Sequence, residues 1–468
     1  MTDFGSWLPD LIPYGHDGLT TCTNVYASPL GYKPIRDVSA VTAALPVTWK
    51  GGGSFIGLDG TVKTVAGTDS GLYVYGTSSW SLSLAAARSN KWQFTQFGDN
   101  IIGVNGGAPV KYTIATGTGA ALGGTPPTST MVTIVRDFVF MAGNPSANST
   151  VYWSAINNAE GWTVGTNQCD IQQLPDGGPV TGMAGGEYGL VFQEAAIHRF
   201  SYVGSPTIFQ RDKISDGIGC LAPGSVATFG RMTFFLSGRG FYSISDGGIM
   251  PIGDQKVNET FWAAYTRSDV LNNIRSTIDP KRSLVIWSMP DCLWIYNWQL
   301  DRWTKAAIPG LVGLSTGINA GVSIDALDAL YPSGLDSIPY SLDAPIFQGG
   351  DPMLTVVKSD NIVYALGGNY LAATLQVPVQ ELYHGRNTRI RRARLFGDPT
   401  TGITLTLSTC GRLGDPLVDT TSNTMTATGY IPIRVTDQFL QWKIDIAAGQ
   451  TWSFINGIAF DQAPGGSY

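Results

Sequence analysis

Histidine is the side chain whose ordinary pKa suits proton transfer near neutrality, and this chain of 468 residues has three, His16, His198 and His384. None stands in a pattern that sets it beside a paired carboxylate or a nucleophile, so each reads as structural. Five cysteines, Cys22, Cys169, Cys220, Cys292 and Cys410, are odd in number and far apart, without a Cys-x-x-Cys pair. That spacing speaks against a zinc cluster or a disulfide framework. Asp325, Asp328, Asp336 and Asp343 lack the close spacing of a calcium loop. No GxxxxGK[ST] occurs, and the glycines at 51–53 have no strand-to-helix setting that would make a phosphate cradle. The string SISDGG at 243–248 is followed by Ile249 and Met250 rather than by the Trp that would lock an Asp-box. It reads as a hairpin turn, because Asp and Gly tolerate positive φ. The expectation is a chain with no catalytic, metal or cofactor residues.

Two concentrations of side chains remain. Trp287, Trp294, Trp298 and Trp303 could form a platform for stacking sugars, but they alternate as the packed face of a strand pair does. The other concentration is basic: Arg386, Arg389, Arg391, Arg392 and Arg394 put five arginines in nine residues. Guanidinium forks suit carboxylates and phosphates alike, so the cluster is a candidate contact for DNA or for a neighbouring subunit, or only a solvated face. In a regular strand Arg389 and Arg391 would share one side, with Arg392 and Arg394 on the other. Both sides could not then line one channel.

The elements that must position these residues repeat. Seven times a polar turn leads into an apolar run, a Gly/Pro/Asn turn and an aromatic-tipped run, ending at Tyr75, Tyr112, Trp153, Tyr202, Tyr242, Tyr296 and Tyr370. The first five intervals lie near the roughly 40 to 50 residues of one four-stranded blade. The last is too long, and 324–353, rich in Asp, Pro and Ser, reads as a connector loop. An array of sandwiches would also repeat, but the spacing favours a β-propeller of six or seven blades. One segment, 254–278, breaks the β pattern. There Val257, Phe261 and Tyr265 recur at helical spacing, predicting a short inserted helix that either docks a partner or covers the rim.

With 58 Gly and 26 Pro the chain is too turn-rich for a helical protein and too long for one core. The expected fold is all-β: an extended N-terminal contact segment at 1–45, the propeller at 46–370, and a C-terminal β-sandwich at 371–468. Only 14% of residues are charged against 43% hydrophobic, which suits a subunit covered on several sides. The formal charge of −6 argues against gripping nucleic acid as the main task, since that rests on Lys and Arg neutralising phosphates. No stretch has the composition of a spanning helix, and MTDFGSWLPD shows no secretory pattern, so the expected place of folding is a cytosol.

Taken in order, LPDLIPYG…TNVYASPLGYKPI, the run from GMAGGEYGLVFQEAAIHRFSYV through FFLSGRGFYSISDGG to VNETFW, and RIRRARL before a short sandwich resemble the tail hub or nozzle proteins of short-tailed bacteriophages. That family is also described as tail accessory or packaged-DNA stabilisation proteins. The likeness is one of organisation, covers most of the chain, and departs from the family in the long connector after Trp303. It implies a non-enzymatic virion protein, assembled in the host cytoplasm, that forms a homo-hexamer below the portal and adaptor. It further implies contact with needle, fibre or spike proteins and only transient, non-specific contact with genomic double-stranded DNA. Six copies would carry a charge of about −36, and an acidic conduit repels phosphates over about 8 Å at physiological salt. The alternative is a glycan-binding or glycan-hydrolysing propeller, which would need paired acids converging on the axis.

Overall fold

A computed structural model describes residues 2–88, 90–318, 352–399 and 401–465. Its strands form a seven-bladed propeller and a two-sheet sandwich. Six blades are consecutive antiparallel meanders of four strands, at 49–85, 93–121, 131–173, 180–216, 227–251 and 275–307. The seventh takes Leu311–Ile318, Pro352–Lys358 and Val363–Tyr370 and borrows Arg36–Ala40 as its outer strand, with Leu366 opposite Val38. The ring is thus closed by backbone hydrogen bonds between distant parts of the chain. The expected connector, 324–353, lies outside the described residues except for its last two.

The middle strands of the blades are covered on both faces by neighbouring blades, which is why they read as continuous apolar runs. Leu284–Met289 and Cys292–Asn297 are buried at every position. Aromatic residues fill the wedges between blades. Phe138, Phe140, Trp153, Phe200 and Phe209 interlock between the third and fourth. Trp92, at the entry to the second blade, lies against Gly67 of the first, where any Cβ would run into the indole, and its Nε1 donates to Thr68 O at 3.0 Å. Trp49 covers Gly313 in the same way where the seventh blade meets the first.

Residues 2–45 contribute strands to three different sheets, with turns and bends between Thr2–Asp3 and Thr21–Thr23. Thr2–Asp3 and the hairpin Val25–Ser28/Gly31–Pro34 join one sheet of the sandwich, together with Ile455–Pro464, Thr388–Gly397 and Tyr430–Asp437. The other sandwich sheet contains Ala373–Gln376, Phe439–Ile446, Ile403–Cys410 and Val418–Thr424. Thr21–Thr23 bridges it to the sixth blade: it runs parallel to Arg302–Ala307 on one side and antiparallel to Ala373–Gln376 on the other. Blade and sandwich therefore form one continuous sheet. A single core runs from Phe241 and Trp287 through Tyr32 to Trp442, so the two parts are welded rather than linked.

The inserted segment folds into α1 (Asn258–Ala264) and α2 (Arg267–Asn273). α1 has no side-chain cap of its own. Asp10 supplies one from the N-terminal segment, its carboxylate accepting from the Glu259 and Thr260 amides at 2.9 and 2.8 Å. α2 opens on a capping box between Thr266 and Asp269. Ahead of the second blade, Lys91 Nζ donates to Leu271 O of α2 at 2.8 Å. Since α2 leads into the sixth blade, this bond spans the ring, and α2 lies across one mouth of the propeller axis.

An arginine face on the sandwich

The strand Thr388–Gly397 must bury Ile390, Ala393 and Leu395 in the sandwich core. Ile390 and Ala393 are three residues apart, an interval that a two-residue period cannot put on one side. A β-bulge between Ile390 and Arg392 absorbs the extra residue against both neighbouring strands. The expected division of the arginines between two faces is therefore corrected. Arg389, Arg391, Arg392 and Arg394 are all exposed while the apolar residues point inward. Arg386 is also exposed, in the turn before the strand.

Sequence reasoning missed two members of this face. Antiparallel pairing puts Arg394 opposite Tyr430 and Arg392 opposite Pro432, so Arg434, exposed on the same edge strand, joins the four. The signal was present in YIPIRV, where Arg434 occupies the polar half of an alternation. Arg392 and Arg394 lie 4.6 and 6.0 Å from the Tyr430 ring centroid, at distances where the ring face attracts a cation. Arg392 Nε also donates to Asp461 Oδ2 at 3.0 Å. Among the described residues that is the face's one ion pair, so most of its guanidinium donors are free for an external anion. Arg391, Arg392, Arg434 and Tyr430 border a shallow basin of about 560 Å³ at the sheet edge.

The inserted helix, expected either to dock a partner or to cover the rim, packs its apolar stripe against the core. Val257 and Phe261 are 0% exposed. The Phe261 ring centroid lies 4.9 Å from that of Phe241 and 5.3 Å from that of Trp294. Tyr265 is half-buried, its hydroxyl donating to Asp291 Oδ1 at 2.6 Å, and burial pushes its phenol pKa up. The helical period identified the inward stripe of α1, which holds the helix on the core; Val257 and Phe261 have no surface to offer a partner.

Trp287, Trp294 and Trp303 are fully buried, and the Nε1 groups of Trp287 and Trp303 donate to Ser225 O and Ile252 O. They cannot stack on a sugar. His198 is buried with Nε2 3.0 Å from Gln193 Oε1, and burial lowers its pKa. The ring of His384 pairs at 3.0 Å with Glu381. All five cysteines are free and buried, and burial raises the thiol pKa of Cys220 and Cys292 to about 11. Among the described residues no cluster of His, Cys, Asp or Glu could hold a metal ion; Asp325, Asp328, Asp336 and Asp343 lie outside them. No helix among the described residues is long and apolar enough to cross a membrane.

No family model matches the sequence, and no curated protein does. Solved structures are similar to this chain at low identity. The N-terminal domain of Nup159 is 9% identical with a TM-score of 0.40, over 71% of this chain and 94% of that one. BamB from Moraxella catarrhalis is 11% identical with a TM-score of 0.39, over 73% and 95%. PorZ, a surface component of the type-IX secretion system of Porphyromonas gingivalis, is 10% identical with a TM-score of 0.38, over 74% and 43%. Similarity at this level carries no argument about function, and the fold assignment rests on the sheet topology above.

Proposed function

We propose that the chain is a structural virion protein, the subunit of a hexameric tail hub or nozzle ring. In this role it extends the DNA conduit below the portal and adaptor, retains packaged DNA, and connects to needle, fibre or spike proteins. The observation that carries the reading is the segregation of charge. Residues 371–468 hold eight Lys and Arg against seven Asp and Glu, while 1–370 hold twenty-one against twenty-eight. Five of the eight basic residues form the exposed arginine face. A basic face at one end of a rigid, otherwise acidic subunit favours head-to-tail contact between copies, the kind of interface that closes into rings. The weld between propeller and sandwich supports the same reading, because a ring closes only if each subunit holds a fixed angle.

The test is the double substitution Arg391→Glu/Arg392→Glu, followed by native mass spectrometry and negative-stain imaging of the protein alone and with portal-containing particles. The expected wild-type result is a ring near six times 49.9 kDa, free or on particles. The variant should lose the ring with little change in affinity for a DNA duplex. Unchanged assembly with altered DNA retention would move the arginine face to the conduit. A monomer that never joins such particles would refute the hub.

A further inference from the structure

A cleft of about 230 Å³ opens between the sixth and seventh blades, where the N-terminal hairpin and the sandwich loop carrying Trp452 close over it. Its floor is aliphatic, with Leu284 and Ile295 from the sixth blade and Leu366 from the seventh. Its rim is basic: Lys33, Arg36 and Arg282 face one carboxylate, Asp279. Arg282 Nη1 donates to Asp279 Oδ2 at 3.0 Å, and its guanidinium lies 5.3 Å from the Tyr26 ring. Arg36 lies 4.4 Å over the Tyr370 ring, with Nη1 donating to Gly368 O at 3.2 Å and Nη2 to the Tyr370 hydroxyl at 3.1 Å. Both guanidinium planes are thus held in place before any ligand arrives. Lys33 is half-buried and has no ion pair among the described residues.

Two features distinguish this cleft from an ordinary basic surface. First, the rim carries two positive charges more than its own carboxylate neutralises, over an apolar floor that solvates cations poorly. Second, three aromatic residues, Tyr26, Tyr370 and the 2% exposed Trp452, line its wall. An anionic ligand brings the charge that the cleft lacks. The aromatic walls of Tyr26, Tyr370 and Trp452 select a flat body, and the volume falls below the roughly 300–1,000 Å³ of drug-sized sites. We propose that the cleft binds a small organic anion, a carboxylate or phosphate monoester carried on an aromatic or heteroaromatic ring. This site stands apart from the arginine face and does not depend on ring formation.

Phenyl phosphate, benzoate, inorganic phosphate and phenol, titrated into the full chain by calorimetry and saturation-transfer NMR, test the proposal. Saturable binding of phenyl phosphate or benzoate is expected, with inorganic phosphate and phenol each weaker by about tenfold or more, since each presents only half of the recognised chemistry. The preferred aryl anion identifies the source as a phosphate ester or a carboxylate. Lys33→Gln/Arg36→Gln should weaken binding by about tenfold or more with an unchanged circular dichroism spectrum. Lys33→Arg should retain most of it, which guards against a loss caused by misfolding. No saturable binding of either aryl anion up to about 10 mM, equal binding by the double variant, or inorganic phosphate binding as tightly as phenyl phosphate would overturn the assignment.

Discussion

Phe261→Ala separates a helix that holds the core together from one that waits for a partner. The side chain is 0% exposed, and its ring centroid is 4.9 Å from Phe241, 5.2 Å from Tyr265 and 5.3 Å from Trp294. Phe241 and Trp294 sit on central strands of the fifth and sixth blades, so they cannot move in to fill the space that the ring leaves. Truncation of a buried Phe costs about 3–5 kcal/mol, and the fixed walls place this site toward the upper end. At about 1.4 kcal/mol per power of ten, the folded population should fall relative to the unfolded by at least two powers of ten. Leu271→Ala, on α2 and 41% exposed, is the control and should change stability by about 0.5 kcal/mol or less. The assay is urea unfolding followed by tryptophan fluorescence and near-ultraviolet circular dichroism. A Phe261→Ala protein that unfolds at the wild-type urea concentration would refute the core assignment. If it also failed to join particles, α1 would return to the role of a docking element.

Further outcomes follow from other contacts. Gly67→Ala drives a Cβ into the Trp92 indole, and overpacking of this kind should cost about 1–3 kcal/mol, measured as a lowered urea midpoint. Asp10→Ala removes the cap on α1 and should cost about 1 kcal/mol, with amide exchange accelerated at Glu259 and Thr260. Burial, with a smaller contribution from Arg275, lowers the Lys91 pKa to about 7. The folded protein therefore binds fewer protons than the unfolded chain between about pH 7 and the ordinary lysine value. Stability should rise with pH across that window in the wild type relative to Lys91→Met, and urea midpoints at pH 6, 8 and 9.5 check the sign. The five buried thiols should resist a thiol-specific reagent in the native protein and all react after denaturation.

The repeat was legible because each blade is built from neighbouring hairpins, whose turns and apolar runs follow one another along the chain. Ring closure was not, because Arg36–Ala40 finds its partner Val363–Tyr370 only after the whole propeller has intervened, and no local pattern records such a pairing. The same holds for Thr21–Thr23, three residues that join blade to sandwich. The helical spacing of Val257, Phe261 and Tyr265 correctly marked an apolar stripe, but periodicity says which residues share a side, not whether that side meets a core or a partner. The arginine run is the reverse case. Ile390 and Ala393 at an odd interval already required a bulge, so the gathering of its arginines on one face could have been read from TRIRRARL alone. Arg434 and Tyr430 could be added only once the strand pairing was known.

The position of α2 bears on how a conduit could be built from this subunit. Lys91 and Leu271 approach the axis from the second and sixth blades and bond across it, and Val270 anchors the helix in the core at 0% exposure. A propeller closed in this way at one mouth offers a duplex no passage along its own axis. In the proposed hub, DNA must therefore run between copies, along a wall made from the outer surfaces of several subunits. The charge pattern then has a consistent assignment: the acidic majority of the surface can line the lumen and let phosphates slide past, while the arginine face is taken up by a neighbour. Exposing that face to the lumen would put five guanidiniums per copy against the backbone and slow release, because each phosphate contact strengthens binding by displacing counterions. Placing it at the subunit boundary removes the obstacle and supplies the polarity that a ring requires.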